Sequence, residues 1–82
     1  MQKPNIADTQ KFNRQGRIHR LLAVIQACSE AKRATDREKL IANYCFEWGC
    51  SRRTIMEYLK ILEGLDKIES KDNDIWIKGK SA

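Results

Sequence analysis

Four adjacent residues, Ser51-Arg52-Arg53-Thr54, carry the densest chemistry in the chain. Two guanidinium groups directly follow a serine able to cap a helix. A helix N-terminus presents backbone N–H groups and a dipole that favour phosphate oxygens. The plainer reading of the same residues is a solvated helix start. The other reactive side chains form no constellation. Cys28, Cys45 and Cys50 are odd in number and contain no CxxC pair, and His19 is the only histidine. A zinc site would want four ligands. The cysteines are expected to be small buried hydrophobes, and their odd count fits a reducing compartment better than a disulfide framework. His19 has no Ser or Cys partner in a nucleophile motif, and no P-loop, GxGxxG or HExxH occurs. The sequence therefore predicts no catalytic residue, no metal, no cofactor and no enzyme.

The chain has 82 residues. One small domain of that length buries roughly 60 % of the surface its unfolded chain exposes. It is 41 % hydrophobic and 33 % charged, a globular rather than a disordered balance. Its longest apolar stretch, Leu21 to Ile25, is far short of the ~20 residues a membrane span needs. The N-terminal residues have no apolar signal-peptide core. These features lead to the expectation of a cytoplasmic protein with no membrane partner. The net charge is +5 at pH 7 and is concentrated at the front, where residues 1–39 hold nine basic and four acidic side chains. Such a balance suggests a polyanionic partner, with solubility as the bland alternative.

Residues 1–13 show no sustained period and read as an N-terminal arm. Residues 14–80 read as the domain. From about Arg14, the spacing of Ile18, Leu21, Leu22, Ile25 and Cys28 predicts a helix ending near Arg33. Thr35-Asp36-Arg37-Glu38 has capping-box spacing, with Thr35 as the cap and Glu38 reaching back to it. The second helix carries Leu40, Ile41, Tyr44, Cys45 and Trp48 on one face, and Gly49 supplies the left-handed residue past its end. Phe46 lies off that stripe, as an exposed ring or a contact site. Ser51 caps a third helix, whose apolar face is Ile55, Tyr58, Leu59 and Leu62. Its other face carries Arg52, Arg53, Met56, Glu57 and Lys60. Only Gly49 and Cys50 separate the second helix from that cap, which forces a sharp bend. After Gly64 the period becomes two. Ile68 and Ser70, then Ile75 and Ile77, flank the turn residues Lys71-Asp72-Asn73-Asp74, which predicts a β-hairpin packed on the helices.

This order of elements resembles the winged helix-turn-helix DNA-binding domain of small prokaryotic, archaeal or viral transcriptional regulators. The resemblance spans roughly residues 14–80. It is carried by Tyr44-Cys45-Phe46-Glu47-Trp48-Gly49-Cys50-Ser51 and the following Arg52-Arg53-Thr54-Ile55-Met56-Glu57-Tyr58-Leu59-Lys60-Ile61-Leu62. The fold it implies is mainly α with a small β-hairpin, a three-helix winged helix-turn-helix. The chain departs from the family where the exit from the third helix lacks a glycine near Asp66, so that Asp66 itself has to adopt the left-handed conformation. It departs again in the acidic wing residues Asp72 and Asp74.

The resemblance implies double-stranded DNA as partner, read in the major groove by helix 51–63. Arg52 or Arg53 would fork onto guanine, a contact worth about 1–3 kcal/mol of discrimination. Ser51 and Thr54 would sit at the phosphate-facing helix start, and Lys60 would contact phosphate. Glu57 would accept from cytosine, or pair with Lys60 on its own face. Lys71, Asn73 and Lys78 in the wing would reach a neighbouring groove or the backbone. Arg14, Arg17 and Arg20 touch flanking phosphate or form a solvated face. Trp76 packs as a lid or serves a partner. The implied function is transcription regulation, with a homodimer formed through helix one or the N-terminal arm. The alternatives are a protein–protein interaction module of a larger assembly and an RNA-binding module.

Overall fold

A computed structural model describes residues 12–80. The arm expected over 1–13, with Lys3 and Lys11, thus lies outside the described residues except for the backbone of Phe12 and Asn13. A single π turn, Phe12–Gly16, runs directly into α1, Arg17–Glu30. Leu21, Ile25 and Ser29 form the buried edge of α1, while Ile18, Leu22 and Val24 pack beside it. The helix stops three residues before Arg33. Lys32, with φ 61°, turns the chain; its N–H donates to the Ser29 carbonyl and that of Arg33 to the Cys28 carbonyl. This pair of bonds is the Schellman closure, here without its usual glycine.

Thr35–Asp36 then form a two-residue strand, β1, that local patterning does not announce. Thr35 is not the helix cap. Asp36 is, with Oδ1 accepting from the Lys39 N–H at 3.1 Å, and it opens α2, Arg37–Trp48. Thr35 is drawn into the sheet instead, opposite Ile75. Gly49, at φ 65°, ends α2. A Cβ there would meet nothing within 4 Å, so the glycine answers a backbone requirement and not a lack of space. Ser51 caps α3, Arg52–Gly64, through the Thr54 N–H. Asp66 adopts the left-handed conformation that the missing glycine demands, at φ 58°, and closes α3 with the same pair of bonds seen after α1.

The hairpin follows, with β2 at Ile68–Lys71 and β3 at Asp74–Ile77. Its two-residue loop has a positive φ at Asp72. The sheet is antiparallel in the order β1-β3-β2, so three helices pack with a small three-stranded sheet. The core joins Leu21 and Ile25 to Leu40, Ile41 and Tyr44 of α2. Ile55, Tyr58, Leu59 and Leu62 of α3 and Ile68 and Ile75 of the hairpin complete it. Strand β1 is too short to pair along all of β3. The buried Ser29 hydroxyl takes over, accepting from the Ile77 N–H at 3.0 Å.

Two outcomes follow from this geometry. Thr35 Oγ1 is buried and has no hydrogen-bond partner among the described residues. Thr35→Val keeps the branched strand residue and removes the orphan hydroxyl, so it should stabilise the domain by about 1 kcal/mol. Were Thr35 the cap, the same change would cost about 1 kcal/mol, and the sign of the shift in a urea melt decides. Lys32→Gly and Asp66→Gly should each raise stability, by at most about 1 kcal/mol, because glycine holds a positive φ without strain. The gain should be smaller at Asp66, since Asp visits this region more readily than Lys. Thermal unfolding of the two single mutants measures it.

Candidate functional site

Burying Ile55, Tyr58, Leu59 and Leu62 turns the opposite side of α3 outward. Arg52, Arg53, Met56, Glu57, Lys60 and Glu63, with Arg37 of α2 beside them, line an open groove of about 630 Å³. The face is mixed in charge. Arg52 is held by two parallel bonds to Glu38 of α2, Nη1 to Oε1 at 2.7 Å and Nη2 to Oε2 at 2.6 Å. Arg37 Nη1 lies 3.8 Å from Glu63 Oε2, and Arg53 Nε lies 3.8 Å from Glu57 Oε2. Glu57 thus takes Arg53 as its partner rather than Lys60. Among the described residues, Lys60 has no carboxylate within ion-pair distance.

Neighbouring residues on a helix point about 100° apart, which gives Arg52 and Arg53 different roles. The Arg52 side chain turns toward α2 and meets Glu38 there. That of Arg53 is 88 % exposed and its one charged contact is long. Ser51 and Thr54 serve the helix start itself, with their hydroxyl oxygens 3.1 Å apart.

The hairpin residues separate into two places. Lys71 is exposed beside the loop. The Asn73 side chain is engaged within the protein: Nδ2 donates to Asp36 Oδ1 at 2.7 Å and Oδ1 accepts from the Glu38 N–H at 3.1 Å. Lys78 lies past the other end of β3, with Nζ 3.9 Å from Asp66 Oδ1. The hairpin loop and the start of α3 therefore meet at one residue, Glu38. Its backbone binds Asn73 and its carboxylate binds Arg52.

Glu38, Arg37 and Glu63 are the site residues that sequence reasoning missed. In the capping-box reading the Glu38 side chain is spent on Thr35. With the cap at Asp36, that carboxylate is free to meet Arg52. The Arg52 bond holds the Glu38 carboxyl below the ordinary carboxylate range, and the same bond raises Arg52 further. Asp36 is likewise lowered, first by the Lys39 N–H and then by Asn73.

Arg17 is not simply a solvated charge. Its guanidinium stacks 5.3 Å from the Trp48 ring centre, and Trp48 in turn lies against Tyr44. Arg14 and Arg20 are exposed. Cys28, Cys45 and Cys50 are unpaired and half-buried, with Cys45 and Cys50 against the core. Among the described residues, no three His, Cys, Asp or Glu side chains gather as metal ligands, and no helix is long and apolar enough to cross a membrane. Trp76 is half-buried near Lys32 and Lys80, and Phe46 is 90 % exposed. Comparison with family models, curated proteins and solved structures finds no match to the chain.

The lowered carboxyls fix a pH dependence. In acid the folded chain binds fewer protons at Asp36 and Glu38 than the unfolded chain does, so stability rises with pH through that window. The contribution is complete above the ordinary carboxylate values and is lost as pH falls through the depressed ones. Wild type should therefore hold its melting temperature above about pH 5 and lose it below. Asp36→Asn keeps a good cap without a titrating group, and its melting temperature should fall less steeply over the same range. An unchanged acid slope would sink this assignment.

Proposed function

We propose that the chain is a winged helix-turn-helix domain that binds double-stranded DNA with the outer face of α3 in the major groove. The observation that carries this reading is the outward face of α3, which leads with a capped helix start and the exposed Arg53 and continues to Lys60. The residues lining the groove carry four cations against two carboxylates. Helix, short strand, two helices joined by a tight turn, and a hairpin whose second strand pairs with the first support the family resemblance. The glutamates on the face do not weigh against binding. An exposed ion pair is worth about 0–1 kcal/mol, less than the 1–3 kcal/mol of an Arg–guanine fork. Transcription regulation in the cytoplasm, as a homodimer through helix one or the N-terminal arm, belongs to the same proposal.

One observation favours a second reading. The charges of the groove are largely matched internally, and Phe46 stands exposed on α2 among the exposed Ala42, Asn43 and Glu47. A charge-matched face and an exposed apolar ring each suit a protein partner.

Selection of bound sequences from a random duplex library, with a single-stranded RNA pool in parallel, separates the readings. Failure of any duplex to bind at low salt would leave the protein-partner reading ahead, and enrichment of RNA alone would replace both. On the selected duplex, Arg52→Ala should lose about 1–3 kcal/mol of discrimination at one base pair. Lys60→Ala should weaken selected and scrambled duplexes alike and lower the salt slope by about one. Titration at several salt concentrations distinguishes them.

A further inference from the structure

We infer that Glu38 determines specificity: in the free protein its carboxylate occupies the Arg52 fork and withholds it from indiscriminate phosphate contact. The inference rests on the DNA-binding reading of α3. Both terminal nitrogens of Arg52 are engaged, one by each Glu38 oxygen, at 2.7 and 2.6 Å. That is the bidentate arrangement in which an Arg also takes the O6 and N7 edge of guanine. The pair is accessible, since the two side chains are 53 % and 56 % exposed. An incoming acceptor can therefore compete for the fork without any unfolding.

Of the two partners, Glu38 has the anchored backbone. Its own N–H is bonded to Asn73 Oδ1, and it stands in the first turn of α2, where the helix dipole favours a carboxylate. Arg52 is the one that moves. To leave Glu38 it gives up two charge-assisted bonds, and only an acceptor presenting two oxygens or nitrogens in register replaces both. A guanine edge held opposite α3 does so; a phosphate, which an Arg can also take with both donors, does so only where the backbone turns both of its free oxygens to the fork. On a duplex without that base, Arg52 stays with Glu38, and Arg53 and Lys60 supply the cationic contacts of the outer face. Without the carboxylate, Arg52 becomes a further cation for any phosphate within reach.

The test uses the full chain as wild type, Glu38→Gln, Arg52→Ala and the double mutant. Each is first shown to be folded by thermal melting. Affinity is then measured for the selected and a scrambled duplex at several salt concentrations. Glu38→Gln should tighten scrambled DNA by about 3-fold or more and steepen its salt slope by about 0.9, the signature of one added phosphate contact. The selected duplex should gain less, so the ratio between the two falls. In the Arg52→Ala background, Glu38→Gln should leave the slope and the ratio unchanged. The inference is overturned if Glu38→Gln weakens both duplexes or shifts both equally. It is also overturned if its effect persists without Arg52, because Glu38 would then act only as a diffuse negative charge. A wild type that binds no duplex removes the DNA reading itself, before any variant is compared, and this inference with it.

Discussion

A single oxygen, Asp36 Oδ1, accepts from the Lys39 N–H at 3.1 Å and from Asn73 Nδ2 at 2.7 Å. Around it, Asn73 accepts twice more, its carbonyl from the Arg37 N–H at 2.8 Å and its side-chain oxygen from the Glu38 N–H at 3.1 Å. The first three N–H groups of α2, which no helix satisfies internally, are thus satisfied at one junction. Neither β1 nor the hairpin is stable alone, since one has two residues and the other is an isolated ribbon. Their pairing and the start of α2 support one another through this contact. The position of Glu38, and so the direction of Arg52, depends on it.

The same junction marks where sequence reasoning stops. Elements set by local chemistry are legible: the apolar faces of the helices, the left-handed Gly49, the Ser51 cap, the hairpin and the left-handed Asp66. Each depends on partners within a few residues. Thr35 and Asp36 both satisfy the rules for a cap, and nothing nearby chooses between them. The choice is made by Asn73 and Ile75, which lie far along the chain. Ser29 is similar. It lies near the end of α1, four residues after Ile25 on the buried edge, and its hydroxyl serves an Ile77 N–H that β1 is too short to reach.

The candidate site was legible to a similar depth. Its face was given by the period of α3, because burying Ile55, Tyr58, Leu59 and Leu62 leaves Arg52, Arg53, Met56, Glu57 and Lys60 outside. The roles of adjacent arginines were not. A sequence shows two equal cations, whereas the fold opposes one with Glu38 and leaves the other almost wholly exposed. Asn73 has the composition of a wing contact, but its polar atoms are engaged at the junction. Long-range pairing of polar groups decides each of these cases, and it leaves no periodic trace.

Both ends of α3 are tethered. At its start, Ser51 caps it and Arg52 ties it to α2. Toward its end, Glu63 accepts from the Ser70 hydroxyl of β2 at 2.6 Å and lies 3.8 Å from Arg37. The outer face therefore moves with the frame, and the freedom left in it belongs to individual side chains. That division suits the proposed role. A phosphate is met from many directions, and a long exposed side chain such as Arg53 or Lys60 loses rotamer entropy only on contact. A base edge must be met in one orientation, by a planar fork whose donors point the same way. Holding Arg52 on Glu38 has a cost, because that pair must first be broken. In the proposed role, a duplex that fails to displace Glu38 is refused that contact, so the carboxylate opposite Arg52 works against unselective attraction.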